Sequence, residues 1–275
     1  MRTTPSPAEE LNVALALLIS DNSRPGSVDL ANTLASLMNL ETIPPVFCAP
    51  GALQDESVVD AATFQAHHLR DPTTGEVGCA LAHRSAYERF LQSGHSWCLI
   101  FEDDAQILDF ELLHGRIHEY ERLCQVSNPV VINLNQNAQP QRVTIGIRDV
   151  HGLRRSYVPS LQTTAYAINA AAARLFVEVQ TPIRNQADWP ATAREVSFFI
   201  DTHSGVRENL ELGSTIDAKD GRVRVRGARK LQSWSALWYV RKRRHFHGFR
   251  HYWEAMLKPR IYWHINALLV RAWQR

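Results

Sequence analysis

Residues 97–104 hold an apolar run that ends in three carboxylates, and they read Trp97-Cys98-Leu99-Ile100-Phe101-Glu102-Asp103-Asp104. The apolar run predicts a strand that is buried on both faces of a sheet. In open α/β sheets, ligands bind beyond the carboxyl ends of the strands. Three adjacent acids repel one another unless a cation or hydrogen bonds compensate their charge. Taken alone, the stretch indicates either a metal and diphosphate site or a solvated acidic turn that favours the next helix through its dipole.

The segments on both sides of this strand alternate between strand-like and helix-like patterns. The predicted strands are Val13–Ser20, Pro44–Ala49, Trp97–Phe101, Val130–Leu134 and Thr164–Ile168. The predicted helices are Ser27–Leu40, Glu76–Gln92 with Thr73 or Thr74 as its cap and Gly94 at its end, Asp109–Leu123, and an alanine-rich helix capped by Asn169. This alternation predicts an α/β domain with a mainly parallel central sheet.

Composition describes an ordinary globular protein. The chain has 275 residues, of which 45% are hydrophobic and 21% charged, which excludes a disordered chain. Its four cysteines are widely spaced without a C-x-x-C pair, so neither a disulfide framework nor a zinc cluster is expected. The polar start, Met1–Glu10, has no signal-peptide features, and the apolar run Val13–Ile19 is too short to span a bilayer. We therefore expect a cytoplasmic location.

Charge is distributed unevenly along the chain. Residues 219–275 hold 15 Lys and Arg against 2 Asp and Glu, whereas the rest holds 15 against 26. Basic residues such as those of Arg241–Arg244 are mixed there with Trp, Tyr and Phe. We place a boundary near Lys230 and predict a catalytic domain, 1–230, followed by a basic, aromatic-rich helical extension, 231–275. The extension is expected to lie on an anionic membrane, on the cytoplasmic face of the inner membrane.

Other interpretations of the extension stay open at this stage. It could be a helical subdomain packed on the catalytic core or a solvated basic face. Nucleic acid is the rival partner, because Arg and aromatic side chains also bind phosphates and stacked bases. The sequence contains no recognised nucleic-acid module, so a nucleic-acid partner is not expected.

A motif upstream of the acidic triplet makes the pattern specific. The matching positions are Gly75, Glu76, Gly78, Cys79, His83, and Glu102–Asp104 after an intervening helix. In this order they resemble glycosyltransferase family 25, a group of lipooligosaccharide and lipopolysaccharide galactosyltransferase-like enzymes, except that Ala82 stands where that family usually has Ser. Further segments fit the same order: Leu18–Arg24, Phe47–Gly51, Thr164–Ile168, Gln186–Trp189 and Gly213–Ile216. The resemblance covers roughly residues 11–217.

The resemblance implies a GT-A type nucleotide-sugar-binding fold, a UDP-sugar donor, a divalent ion (Mn²⁺ or Mg²⁺) and inversion at the anomeric carbon. Galactose is the commonest donor sugar of that family, and the acceptor is a glycan or a lipid-linked glycan. The metal ligands would be Glu102 and Asp104, with Asp104 preferred. Positions expected to contact the donor are Ser20, Arg24, Ala49, Gly78, His83 and Asp103.

The transfer also needs a base that takes the proton of the acceptor hydroxyl, and we assign Asp188 to it. The alternative for Asp188 is a cap of a helix over Pro190–Ile200. His83 could equally be a core histidine bonded to the backbone. Asp201-Thr202-His203 offers either a further metal ligand or a solvated loop.

Two functions from different classes follow. The first is an active transferase that builds a surface glycan. The second is a catalytically silent family relative that serves as a sugar-binding or scaffold protein. The intact acidic triplet favours the first, and Ala82 favours the second.

Overall fold

The computed structural model describes residues 14–20, 25–68, 71–136, 149–150, 153–156, 162–188, 190 and 195–209. Several predictions fall outside these ranges: those on Arg24, Trp189, Gly213–Ile216, the boundary near Lys230 and the extension 231–275. They stay predictions. No helix in the described ranges combines the length and the apolar character of a membrane-spanning segment.

Ten strands and five α-helices are formed within the described ranges. The strands are β1 (Leu15–Ile19), β2 (Asn39–Ile43), β3 (Trp97–Glu102), β4 (Ala105–Ile107), β5 (Val130–Asn133), β6 (Asp149–Val150), β7 (Leu153–Ser156), β8 (Ala165–Asn169), β9 (Ser197–Asp201) and β10 (Val206–Glu208). The helices are α1 (Pro25–Ala35), α2 (Ala61–His68), α3 (Thr74–Ser93), α4 (Phe110–Cys124) and α5 (Ala170–Val179). A short 3₁₀ helix covers Pro50–Gln54.

Eight of these strands form one sheet in the order β2-β1-β3-β8-β5-β9-β7-β6, while β4 and β10 pair separately. Strand β1 pairs in parallel with β2 and β3, and β5 pairs in parallel with β9. Strand β8 is inserted antiparallel between β3 and β5, and β7 is antiparallel to β9 and β6. Six of the eight strands in this sheet thus share one direction, which confirms the predicted α/β fold with a mainly parallel sheet.

The central strands are apolar up to their last residue, which is polar in β3, β5 and β8, and helices cover both faces of the sheet. Side chains of β1 alternate between two cores: Ala16 and Leu18 pack with α1 and α4, whereas Leu15 and Leu17 pack with α3 and α5. The same alternation along β3 sends Ile100 toward α3 and Phe101 toward α4. The next residue on the α3 side is the first carboxylate of the triplet.

The predicted helix Ser27–Leu40 was too long, and the predicted strand Pro44–Ala49 was wrong. Helix α1 ends at Ala35, and the chain continues as β2, which pairs with β1. Residues 44–49 form no strand. Pro44 and Pro45 have no backbone N–H to donate to a neighbouring strand, which explains why the pairing stops before them.

The remaining helix predictions are confirmed. Thr73 caps α3 in a capping box with Glu76, and Gly94 ends the helix in the left-handed conformation with φ 77°. Asp109 caps α4, and Asn169 caps α5. The alternative helix over Pro190–Ile200 is wrong for its last four residues, because they belong to strand β9.

Candidate active site

The carboxyl ends of β1, β2 and β3 meet at one edge of the sheet. Ile19 lies opposite Glu102 in the register of β1 and β3, so Ser20 stands beside the acidic triplet. Ser20 is buried, and its backbone N–H donates to the carbonyl of Ile43 at the end of β2 (3.0 Å). The predicted donor residue Ser20 and the triplet therefore share this edge.

Helix α3 brings His83 to the first carboxylate of the triplet. His83 is only 1% exposed, its Nε2 atom lies 3.1 Å from Glu102 Oε1, and its Nδ1 atom lies 2.8 Å from the Tyr166 hydroxyl. The Tyr166 hydroxyl in turn is hydrogen-bonded to that of Tyr87 (3.0 Å). The interpretation of His83 as a core histidine bonded to the backbone is therefore wrong. It is buried, but its partners are side chains of the site.

The reversed strand β8 completes this edge of the sheet. Because β8 runs antiparallel to β3, the residues before it lie at the carboxyl end of β3, where the Glu102 N–H donates to the Thr164 carbonyl (2.8 Å). The Thr163 hydroxyl donates to Glu102 Oε1 and lies 3.5 Å from Asp188 Oδ1. The structure thus brings the first acid of the triplet and the predicted base together.

The environment of Asp188 changes its acidity. Burial raises the pKa of the Asp188 carboxyl to about 6, and the charge of Glu102 acts in the same direction. His83 and the hydrogen bonds from the Gln162 backbone and the Thr163 hydroxyl lower this pKa without cancelling the rise. A carboxylate with a pKa near neutrality suits a general base, because it is ionised at pH 7 and still accepts a proton readily.

The loop that carries Asp188 is fastened to α3 and to the end of α5. Gln186 Nε2 donates to Glu76 Oε1 (2.5 Å), and Glu76 is buried in the capping box of α3. Gln180 Nε2 donates to the carbonyls of Asn185 and Gln186, each at 3.1 Å. Glu76 thereby links the motif before the triplet to the segment of Asp188.

A polar network supports the other side of Asp188. Gln162 has a φ of 90°, an unusual value for a residue other than glycine. Its carbonyl accepts from Asn133 Nδ2 (2.9 Å), its side-chain oxygen accepts from Asn135 Nδ2 (3.0 Å), and its Nε2 donates to Glu208 Oε2 (2.6 Å). Backbone conformations of this kind persist where the surroundings hold them, and they cluster at functional sites.

The other two acids of the triplet lie in the turn between β3 and β4. Asp103 and Asp104 are partly exposed, and the Asp104 carbonyl accepts from the Asn209 backbone N–H (2.7 Å). Their carboxylates offer the oxygen ligands that Mg²⁺ and Mn²⁺ prefer. Glu102 Oε1, in contrast, already accepts from Thr163 and faces His83. Asp103 and Asp104 thus offer oxygen ligands that suit a hard divalent ion.

Gly78 and Ala49 have different surroundings. A Cβ atom on Gly78 would overlap the carbonyl oxygen of Val46, so glycine permits the close approach of α3 to the segment after β2. Ala49 is exposed and precedes the 3₁₀ helix, where its carbonyl accepts from the Ala52 N–H (2.9 Å).

Asp201 is neither a solvated loop residue nor an open metal ligand. It is fully buried at the end of β9 and accepts from Arg116 Nε and from the Tyr120 hydroxyl, both at 2.8 Å. Its other oxygen accepts from the His203 backbone N–H (2.8 Å). Asp201 therefore fastens α4 to the sheet.

The model of glycosyltransferase family 25, described as an LPS biosynthesis protein family, matches residues 53–190, half of the chain. The chain belongs to glycosyltransferase family 25. The match includes α3, the acidic triplet, β8 and Asp188, whereas Ser20 and Ala49 lie outside it.

No curated protein sequence matches this family 25 member. Its fold has a distant similarity to the crystal structure of mannose-1-phosphate geranyltransferase from Thermus thermophilus. That similarity covers 69% of this chain and 73% of that chain, at 13% identity and a TM-score of 0.39.

Sequence reasoning missed several residues of this family 25 site. Thr163, Gln162, Asn133, Asn135 and Glu208 carry no motif that marks them. Tyr166 stood inside a segment that resembles the family, yet no role was assigned to it. The spacing of Cys79 and His83, one turn apart on a predicted helix, was a signal that could have placed the thiol beside the triplet.

Proposed function

We propose that this glycosyltransferase moves a sugar, with galactose as the first candidate, from a UDP-sugar to a saccharide acceptor. The acceptor would belong to lipopolysaccharide, lipooligosaccharide or a related surface glycan, and the anomeric carbon would be inverted on a GT-A type fold. The observation that supports this proposal most is the meeting of Asp188, with a pKa of about 6, and the acidic end of β3 within the region that matches the family.

Asp188 is the proposed base. Its carboxylate takes the proton of the acceptor hydroxyl as that oxygen bonds to the anomeric carbon. The bond from this carbon to the nucleoside diphosphate breaks in the same inverting displacement. Thr163 and the Gln162 backbone hold the carboxylate, while burial and the charge of Glu102 keep its pKa high. After the transfer, Asp188 releases the proton to solvent and is ionised again for the next turnover.

We propose that the donor diphosphate binds at the acidic turn. We assign Asp104 as the principal ligand of Mn²⁺ or Mg²⁺, Glu102 as the second, and Asp103 as a contact of the ribose or of the water around the ion. These carboxylates would hold the ion, and its charge would offset the charge that builds on the departing nucleoside diphosphate. Ser20 stands at the same edge of the sheet, next to the triplet, and is assigned to the donor.

The other assigned donor residues contribute in different ways. His83 acts through its contact with Glu102, and Gly78 through the close packing of α3 that places His83. Ala49 lies on the exposed segment before the 3₁₀ helix. Arg24, which lies outside the described residues, is assigned to the diphosphate.

The test combines donor binding and turnover in the purified full chain. A thermal-shift screen of UDP-sugars with and without Mn²⁺ should identify the donor, because a ligand that binds the native state raises the melting temperature. UDP release should then require Mn²⁺.

The variants separate the metal site from the base. Asp104→Ala should lose both the Mn²⁺-dependent rise in melting temperature and UDP release. Asp188→Asn should lose UDP release while it keeps the rise in melting temperature. Asp29→Ala, an exposed acid on α1, serves as the matched control. Turnover unchanged in Asp188→Asn would remove the base assignment.

The same screen separates the second candidate, a catalytically silent sugar-binding or scaffold protein. Ala82, which stands where that family usually has Ser, is buried on α3 one residue before His83. A silent relative would bind a UDP-sugar or a glycan with no UDP release at any acceptor concentration.

We also propose that the extension 231–275 brings the enzyme to an anionic membrane surface on the cytoplasmic side. The excess of Lys and Arg with interspersed Trp and Tyr supports this assignment, since such segments bind the headgroup region. Flotation with anionic liposomes should recover the full chain, whereas the chain truncated after Lys230 should stay in the dense fraction. Equal flotation of both would contradict the assignment.

A further inference from the structure

A second set of possible metal ligands lies beside the acidic turn. Cys79 and His83 are four residues apart on α3, so they project from the same face of the helix. The Glu102 carboxylate at the end of β3 faces them. Cys79 Sγ, a ring nitrogen of His83 and a Glu102 oxygen all lie within 4.8 Å of one another. The three side chains come from two rigid elements of the core.

We propose that Cys79, His83 and Glu102 form a binding site for Zn²⁺. A thiolate, an imidazole and a carboxylate are the ligands that Zn²⁺ prefers, and three such groups leave a fourth tetrahedral position for water or for Asp188. Ligand atoms around a tetrahedral zinc ion are about 3.3–3.8 Å apart, as follows from bond lengths of about 2.0–2.3 Å. His83 Nε2 and Glu102 Oε1 are already 3.1 Å apart. The remaining distances are at most 4.8 Å, so side-chain adjustments of up to about 1 Å close the set.

The outer contacts of the site suit a metal-bound histidine. Such a histidine usually uses its second ring nitrogen in a hydrogen bond that fixes the orientation of the ring. His83 Nδ1 lies 2.8 Å from the Tyr166 hydroxyl, which is hydrogen-bonded to Tyr87. When Nδ1–H donates to Tyr166, the lone pair of Nε2 points toward Glu102. The Nε2 lone pair and the Glu102 carboxylate then face each other, and either a proton or a metal ion can bind between them.

The local charge also favours a dication. Burial raises the pKa of the Cys79 thiol, and the carboxylates of Glu102, Asp188, Asp104 and Glu76 raise it further. A bound zinc ion reverses this effect, because it stabilises the thiolate and releases the thiol proton. Cys79 and Glu102 are partly exposed, so an ion can reach the site from solvent.

This site differs from the one proposed for the donor diphosphate, which is centred on Asp104. The two share Glu102, so zinc bound to Cys79 and His83 would hold that carboxylate and inhibit transfer. The inhibition rests on the proposed function, whereas the binding of zinc does not. The experiment therefore reads the metal directly, without donor or acceptor.

Cobalt is the probe, because a Co²⁺–thiolate bond gives a near-ultraviolet charge-transfer absorption and a four-coordinate Co²⁺ ion gives intense visible bands. The full chain is titrated with Co²⁺ under a non-thiol reductant. We expect both absorptions, and we expect stoichiometric Zn²⁺ to abolish them. Cys79→Ser should lose the thiolate absorption, and Cys48→Ser is the matched control, since Cys48 is the other partly exposed thiol among the four. Cys98 and Cys124 are buried.

Affinity provides the second measurement. Competition with a zinc chelator should show Zn²⁺ binding weakened at least about tenfold in Cys79→Ser and in Glu102→Gln, and unchanged in Cys48→Ser. Urea unfolding of each variant verifies that it is folded. The proposal is overturned if the wild-type chain shows no cobalt–thiolate absorption at saturation, if that absorption survives in Cys79→Ser, or if Cys48→Ser loses it instead. UDP release with Mn²⁺, measured separately, reports on the transferase proposal alone.

Discussion

Replacing Asp188 by Asn should make the protein more stable at neutral pH. Asn keeps the size of the side chain and an oxygen that accepts from the Gln162 backbone and the Thr163 hydroxyl, but it carries no charge. In the native protein, burial and the Glu102 charge raise the pKa of Asp188 from 3.8 to about 6. Ionisation of this carboxyl therefore costs the folded state free energy that the unfolded state does not lose.

The sign and the size of the effect follow from linkage. Below about pH 3, Asp188 is protonated in both states, so the variant and the wild type should be equally stable. As pH rises from about 4 to about 6, the wild type loses the stability that the variant keeps, and the difference is complete above about pH 7. A rise from 3.8 to about 6 corresponds to about 3 kcal/mol, because each tenfold change is worth about 1.4 kcal/mol. Solvent reaches the partly exposed carboxylate, so we expect about 1–2 kcal/mol.

Urea unfolding at several pH values between about 4 and 8 measures this difference. Asp60→Asn is a control of opposite sign, because hydrogen bonds from Thr63 lower the pKa of Asp60, and its ionised form therefore stabilises the native state above the unfolded pKa. That variant should be less stable than wild type at neutral pH. The reasoning is refuted if Asp188→Asn is no more stable than wild type near pH 8, or if its gain is the same at pH 4. Loss of UDP release in the same variant would show that the cost in stability serves the proposed base.

Two further predictions concern packing and a buried ion pair. Gly78→Ala should lower the free energy of unfolding by about 1–3 kcal/mol, because the added methyl group overlaps the Val46 carbonyl. Gly115→Ala on α4 meets no neighbouring atom and should raise the free energy of unfolding by up to about 1 kcal/mol. Equal effects of the two substitutions in urea unfolding would contradict the close approach of α3. Asp201→Asn should lower the free energy of unfolding by about 3 kcal/mol in the same assay, because it leaves the largely buried charge of Arg116 without its carboxylate. A decrease below about 0.5 kcal/mol would mean that the ion pair does not hold α4 to the sheet.

Much of the fold was predictable because its signals are local. Helix α3 begins at a capping box and ends at a left-handed glycine, and both can be read from the residues around Thr73 and Gly94. The apolar strands β1 and β3 are equally plain. The boundary between α1 and β2 was missed, since Leu37, Met38 and Leu40 continue the helical spacing while the pairing of β2 with β1 decides the structure. That pairing is a tertiary contact, and a local pattern does not contain it.

The candidate site was predictable only in part, for a related reason. Resemblance supplied the acidic triplet, His83 and Asp188, each within its own segment. The sequence could not show that the Asp201 carboxylate is hydrogen-bonded to Arg116 and Tyr120, because these partners are 85 and 81 residues away and no local sequence pattern indicates the contact. The position of the Cys79 thiol beside Glu102 left one local signal, its spacing of one helical turn from His83, and the spacing of the cysteines from one another does not contain that signal.

The reversed strand β8 accounts for most of what was missed. In a wholly parallel sheet, the residues before β8 would lie at the amino edge, far from the carboxyl end of β3. Because β8 is antiparallel between β3 and β5, Thr163 and Gln162 instead stand at the carboxyl edge of β3, where they meet Glu102 and Asp188. The same reversal places Tyr166 opposite Ile100, within reach of His83. The hydrogen bonds that hold Asp188 and partly offset the rise of its pKa are therefore a consequence of strand direction, which neither composition nor periodicity of β8 reveals.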